Sequence, residues 1–134
     1  VQPEDKVSVI FVTIRQDSAR QSNDVHTVTD RAIEMVTCGI RRALRVGDLL
    51  FRYDGNELAV LLSQTDAETA SLIAERTRLS LAAELSLARD AWPVRVSLGV
   101  ATAPADGVSV EELIKAARSR ECPLVSAPSH SAIH

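Results

Sequence analysis

The stretch that most constrains the fold runs from Arg45 to Leu62, RVGDLLFRYDGNELAVLL. Two apolar runs, Leu49–Tyr53 and Leu58–Leu62, flank the tetrad Asp54-Gly55-Asn56-Glu57. Asp-Gly between hydrophobic runs is a strong hairpin signal, because a two-residue type I′ turn requires positive φ at both central positions. A hairpin here creates two antiparallel neighbours, and the elements on either side must be built around them.

Upstream, VSVIFVTI (residues 7–14) is a β-branched, nearly continuous apolar run, the composition of a strand buried on both faces. Thr27 and Asp30 read as a capping box, and apolar residues Ile33, Val36, Ile40 and Leu44 follow at helical spacing. Arg41, Arg42 and Arg45 crowd the end of this helix, where cations offset the macrodipole, and Gly47 reads as its terminator. Downstream, Thr65 and Glu68 read as a second capping box opening a long helix towards Leu87. VRVSLGVA follows Pro93 as a strand, and Ser109 with Glu112 caps a third helix that runs to Arg118 and stops before Cys122-Pro123.

The order is β-α-β-β-α-β-α. Its expected class is α/β (α+β), a split-βαβ or ferredoxin-like arrangement with a central mixed sheet flanked by helices. One domain is expected over residues 1–121, and the Ser-, Pro- and His-rich residues 122–134 are expected to form a flexible tail. The start at Val1-Gln2-Pro3 suggests a domain cut from a longer chain.

Composition narrows the function. With 15 basic against 18 acidic residues the net charge is −3, which leaves no footprint for DNA, RNA or an anionic membrane. Only 3% of residues are aromatic, too few for base-stacking platforms. No apolar stretch approaches the roughly 20 residues of a bilayer span, and no signal peptide is visible. Cys38 and Cys122 make no disulfide or zinc pattern and read as small apolar residues of a reducing compartment, so the expected location is cytoplasmic.

The hairpin carries a family resemblance. Arg52-Tyr53-Asp54-Gly55-Asn56-Glu57-Leu58 resembles the R-Y-G-G-D/E-E-F signature of GGDEF domains, the diguanylate cyclases. Arg42–Asp48 resembles the family's approach to the hairpin, Val96–Ala101 its later strand, and Glu112–Ala117 the start of its last helix. The resemblance implies a fold that condenses two GTP molecules into cyclic di-GMP, one per protomer of a head-to-head dimer, with the hairpin tip packed against the nucleotide and supplying one acid for two Mg²⁺ ions.

Mg²⁺ wants anionic oxygens, usually one or two carboxylates plus substrate phosphates. The two carboxylates implied by the resemblance fall at Thr13 and Asn56, both neutral here. Losing two charge-assisted contacts weakens Mg²⁺-nucleotide engagement by roughly 3–6 kcal/mol. The guanine-contacting Asn falls at Gln21, and the guanine-contacting Asp survives as Asp30, which equally suits the first turn of a helix. The phosphate-holding Phe-Lys pair is Asp17-Ser18, and past Arg120 no base remains for phosphate. Asp54 replaces the first signature glycine, Gly55 is kept, and Glu57 matches the retained second acid or serves as a solvated strand residue. His26 falls near a family histidine and suits a structural role.

The resemblance also implies an inhibitory R-x-x-D site for the product, here Arg45-Val46-Gly47-Asp48, completed by an arginine of the next helix, Arg76 or the nearby Arg78. An arginine fork matches the O6 and N7 acceptors of guanine, and a carboxylate accepts from its N1–H and amine. The same residues also suit a plain helix end: a cation at the C-terminus, a glycine stop and a strand-start acid.

The expectation is a catalytically inactive GGDEF-like domain with no resident cofactor, serving as a cyclic di-GMP receptor through Arg45, Asp48 and Arg76. A homodimer and an upstream sensor or effector domain are compatible partners. The alternatives are a domain kept for dimerisation or partner docking without nucleotide, and a residual cyclase or GTP sensor using Asp30, Glu57 and Mg²⁺.

Overall fold

The computed structural model describes residues 6–16, 30–87 and 94–124. Five strands and three helices follow in the order β1 (Ser8–Gln16), α1 (Asp30–Arg41), β2 (Leu49–Asp54), β3 (Glu57–Leu62), α2 (Ala67–Ser86), β4 (Val94–Thr102), α3 (Val110–Ser119) and β5 (Cys122–Pro123). Thr27, half of the first expected capping box, lies outside the described residues, as do Asp17, Ser18, Gln21 and His26.

The strands form one sheet in the order β2-β3-β1-β4-β5. The expected mixed sheet is corrected, because every described pairing is antiparallel. The two crossovers explain this. The α1 crossover leaves β3 between the parallel strands β1 and β2, and the α2 crossover leaves β1 between β3 and β4. Parallel strands are thus never neighbours, and the split-βαβ reading stands. Residues 122–124 also depart from the expected flexible tail. Pro123 and Cys122 pair with Ser97 and Leu98, and the Leu124 N–H donates to the Val96 carbonyl at 2.8 Å.

Strand β1 is the centre of the molecule. Ile10, Val12 and Ile14 face α1 and α2, packing with Val36, Ile40, Leu58, Val60, Ile73 and Leu81. Val9 and Phe11 face α3, packing with Ala59, Ala101, Leu113, Ile114 and Ala117. These strand residues are at most 1% exposed, so the double-faced burial expected of VSVIFVTI is what forms. Helix α3 can lie this close because β4 has glycine at 99, where a Cβ would sit 1.9 Å from the Ala117 carbonyl oxygen.

Local signals resolve unevenly. Ser109 caps α3 as expected, accepting from the Glu112 N–H at 3.1 Å, while Glu112 reaches back to the Val108 N–H at 2.7 Å. The α2 cap shifts by one residue: Asp66, not Thr65, accepts from the Thr69 N–H at 2.9 Å. Thr65 is instead buried, its hydroxyl donating to the Ser63 carbonyl. The hairpin loop is Gly55-Asn56 between the paired Asp54 and Glu57, not Asp54-Gly55. It is not type I′, for the positive-φ residues among those described are Gly47, Gln64 and Gly107.

Replacing Gly99 with alanine should drive a methyl group into the α3 backbone. We expect a loss of about 3 kcal/mol, the upper end of overpacking costs, read as a lower urea midpoint at unchanged slope.

Candidate functional site

The end of β1, the hairpin tip and the end of α3 converge. Thr13 pairs with Glu57 on β3 and Ser97 on β4, and is only 8% exposed. Its Oγ1 donates to Glu121 Oε2 at 2.5 Å. Next to it, the Ile14 N–H donates to the Asn56 carbonyl at 2.8 Å, and Asn56 Nδ2 donates to the Ile14 carbonyl at 2.9 Å. The Asn56 side chain therefore makes a bond to the β1 backbone of the kind a ladder N–H would make. This double tie draws the tip towards β1 and accounts for the departure from a free-standing type I′ turn.

The rest of the tip is equally engaged. Arg52 Nη2 donates to the Gly55 carbonyl at 2.6 Å, and Asp54 Oδ1 accepts from the Gly55 N–H at 2.7 Å. Glu57 Oε1 accepts from Arg118 Nη2 at 3.2 Å. The Arg118 guanidinium lies 5.0 Å from the Phe11 ring centroid and 5.5 Å from that of Tyr53, within cation–π range. Burial pushes the Glu121 carboxyl above the usual carboxylate range, and the negative Glu57 acts in the same direction. The Thr13 hydroxyl, Arg118 and Arg15 oppose that rise.

These residues do not reproduce the two-carboxylate arrangement that the resemblance calls for. Thr13 and Asn56 offer a hydroxyl and an amide, each donating its hydrogen bond inside the protein. Glu121 and Arg118 are the members that sequence reasoning missed. Both sit at the end of α3, where they read as helix-end residues, and Glu121 lies 108 positions from the Thr13 it contacts. Arg120, considered for phosphate, is held by Asp106 at 2.7 and 2.9 Å and by the Val100 carbonyl at 3.2 Å. Asp30 is the exposed first residue of α1. Cys38 and Cys122 are free thiols, and Cys122 is exposed rather than packed.

A second cluster forms on the turn between α1 and β2. Arg45 and Asp48 close on one another: the Arg45 backbone N–H and Nε donate to Asp48 Oδ2 at 2.8 and 3.3 Å, and Nη2 donates to Oδ1 at 3.0 Å. Arg45 Nη2 also donates to Thr65 Oγ1 at 2.7 Å. Gly47, at φ 98°, belongs to this turn rather than to the helix end at Arg41. The Asp48 side chain is 2% exposed and that of Arg45 39%, so the acid is covered and the guanidinium keeps a solvent face. Arg76 reaches the same segment from α2, donating from Nε and Nη2 to the Ala43 carbonyl at 3.1 and 2.7 Å. Its neighbour Arg78 is instead paired with Glu75.

The described fold and these two clusters can now be set beside known proteins. The family model "Diguanylate cyclase, GGDEF domain" matches residues 2–121, and the chain belongs to this family. It is 31% identical over 118 residues to diguanylate cyclase A of Treponema denticola, covering 85% of this chain and 32% of that protein. It is 29% identical over 111 residues to the cyclic di-GMP phosphodiesterase NbdA of Pseudomonas aeruginosa, covering 81% of this chain and 14% of that protein. The chain thus spans a third or less of these relatives. Its fold matches the GGDEF domain of DgcB from Caulobacter crescentus, solved with c-di-GMP, at a TM-score of 0.59 and 19% identity over 84% of this chain and 69% of that one. No described helix is long and apolar enough to cross a membrane.

Glu121 supplies a test of the first cluster. A carboxyl whose folded pKa is raised holds its proton more tightly in the folded state. Its contribution to stability is therefore present in acid and is lost as pH rises through the raised value. Glu121→Gln keeps an acceptor for Thr13 and removes the buried charge. Its melting temperature should exceed the parent's by about 1–3 °C at neutral pH. The gap should close as pH falls into the ordinary carboxylate range, as thermal melts across pH would show.

Proposed function

We propose that this GGDEF domain does not condense GTP and serves instead as a cyclic di-GMP receptor, with Arg45, Asp48 and Arg76 as its dinucleotide site. The supporting observation is a contrast between the two clusters. At the β1 end, the positions that would hold metal are a hydroxyl and an amide committed to Glu121 and Ile14. At the α1–β2 turn, a bidentate arginine–aspartate pair stands at the surface with a second arginine anchored beside it.

The chemistry of the turn suits a guanine base. Arg45 has a solvent face from which a guanidinium edge can meet O6 and N7. Asp48 holds that fork in plane, and moving the pair apart exposes a carboxylate for N1–H and the exocyclic amine. Arg76, fixed to the Ala43 carbonyl, supplies positive charge for a phosphate. The Arg45–Asp48 pair must partly open to admit a ligand, so affinity should be moderate.

A second reading is favoured by one observation: Arg45, Asp48 and Arg76 all have internal partners, as they would in a structural turn. On that reading the domain serves assembly or partner docking without nucleotide.

Calorimetric titration distinguishes the two. Cyclic di-GMP should bind with a dissociation constant in the micromolar range, about −8 kcal/mol, and Arg45→Ala should weaken it at least about tenfold. No heat at high protein concentration favours the second reading. In parallel, incubation with GTP and Mg²⁺ should release no pyrophosphate above a protein-free control, and turnover would reject the inactive assignment.

A further inference from the structure

Thr65 has the sequence position of a cap for α2, yet Asp66 takes that role. Thr65 is instead 1% exposed, and each of its polar groups is bonded within the protein. Its N–H donates to the Lys6 carbonyl at 2.7 Å, and its carbonyl accepts from the Ser8 hydroxyl at 2.8 Å. Its own hydroxyl donates to the Ser63 carbonyl at 2.8 Å and accepts from Arg45 Nη2 at 2.7 Å. Ser8 is fixed in turn. A hydroxyl has a single proton, and that of Ser8 goes to the Thr65 carbonyl, so the Thr102 hydroxyl at 2.8 Å donates to Ser8. Thr102 is buried as well, and its N–H is held by Asp106 Oδ2 at 2.8 Å. Buried hydroxyls from the start of β1, the loop after β3 and the end of β4 thus lock Thr65 in place. The preceding Gln64 has φ 48°, a left-handed conformation that residues with a Cβ rarely adopt and that surrounding bonds must hold.

The bond to Arg45 gives this lock a use. Nε of Arg45 gives its proton to Asp48 Oδ2, while Nη2 gives one proton to Asp48 Oδ1 and the other to Thr65. Among the described residues, Nη1 has no partner. The guanidinium is therefore gripped on two edges by groups of different kinds. Asp48 is a charged partner on the turn itself and competes for the Nε–Nη2 fork. Thr65 is a neutral partner on the rigid end of the sheet, and it uses the Nη2 proton that the fork does not need.

We propose that Thr65 is a positioning residue for Arg45. When a guanine takes the Nε–Nη2 fork from Asp48, Thr65 keeps the other Nη2 proton and holds the guanidinium in the plane where the base meets it. The proposal rests on the dinucleotide reading of the turn and adds to it a residue from outside the R-x-x-D segment. An arginine released from Asp48 with no second anchor regains its rotamer freedom, and ordering it again weakens binding. A fixed hydroxyl removes that cost. Being neutral, it also leaves the positive charge of Arg45 to the ligand.

The test compares Thr65→Val, which keeps the shape and removes the hydroxyl, with Thr65→Ser, which keeps the hydroxyl. In calorimetric titration with cyclic di-GMP, Thr65→Val should bind about three- to tenfold more weakly than the parent, the worth of one hydrogen bond, and Thr65→Ser within about twofold of it. Thr65→Ala carries the same expectation as Thr65→Val and replaces it if that variant does not fold. The Arg45 Nε–H resonance, followed by NMR in the nucleotide-saturated protein, supplies a readout that stability alone does not move. It should stay sharp and slow to exchange in the parent and in Thr65→Ser, and exchange faster in Thr65→Val. Equal affinity of parent and Thr65→Val, an equal loss in Thr65→Ser, or weaker binding with an unchanged Arg45 signal overturns the positioning role and leaves the dinucleotide reading standing. A parent that binds no cyclic di-GMP overturns the dinucleotide reading and this role with it.

Discussion

The burial of β1 on both faces is the constraint from which the rest follows. A strand whose alternate side chains are all apolar cannot lie at an edge or under one layer of helices, so it takes the centre of the sheet with helices on either side. Helices α1 and α2 cover one face and α3 the other. With β1 in the middle, the hairpin must add on one side through β3 and β4 on the other, which gives the fully antiparallel order β2-β3-β1-β4-β5. Gly99 then becomes necessary, because α3 rests its backbone directly on β4.

The same central strand creates the first cluster. Its last residues emerge between the hairpin tip and the end of α3, so Thr13, Asn56, Glu57, Arg118 and Glu121 are brought together at one end of the sheet. Thr13, Asn56, Glu57, Arg118 and Glu121 each make a hydrogen bond within the protein there, so the Thr13 hydroxyl and the Asn56 amide are committed as donors. The turn between α1 and β2 is built differently. Its arginine–aspartate pair caps a chain reversal while leaving one face of the guanidinium in water. The two clusters thus use related charge chemistry at different degrees of enclosure.

Much of this was legible in the sequence. The continuous β-branched run specified β1, the capping residues located α3, and the two apolar runs around Asp54–Glu57 specified the hairpin. The R-x-x-D spacing located a turn whose two charged ends meet, as its three-residue separation allows. Less legible were the N-cap of α2, where the adjacent Thr65 and Asp66 both offer a capping oxygen, and the loop of the hairpin. There the Asp-Gly preference for a type I′ turn yields to two hydrogen bonds between Asn56 and Ile14, a contact across 42 positions. The short strand β5 was read as tail because two residues and a proline carry no period.

By itself the sequence determined the kind and order of the elements and the residue types at the positions of interest, since periodicity, caps and turn chemistry act within a few residues. Only the tertiary structure decided the partners of those residues. It gave Glu121 to Thr13, Arg118 to Glu57 and Arg76, not Arg78, to the Ala43 carbonyl. Such contacts join segments far apart in the chain. Their geometry follows from how the sheet orders its strands and how closely the helices settle on it, and no local pattern encodes either.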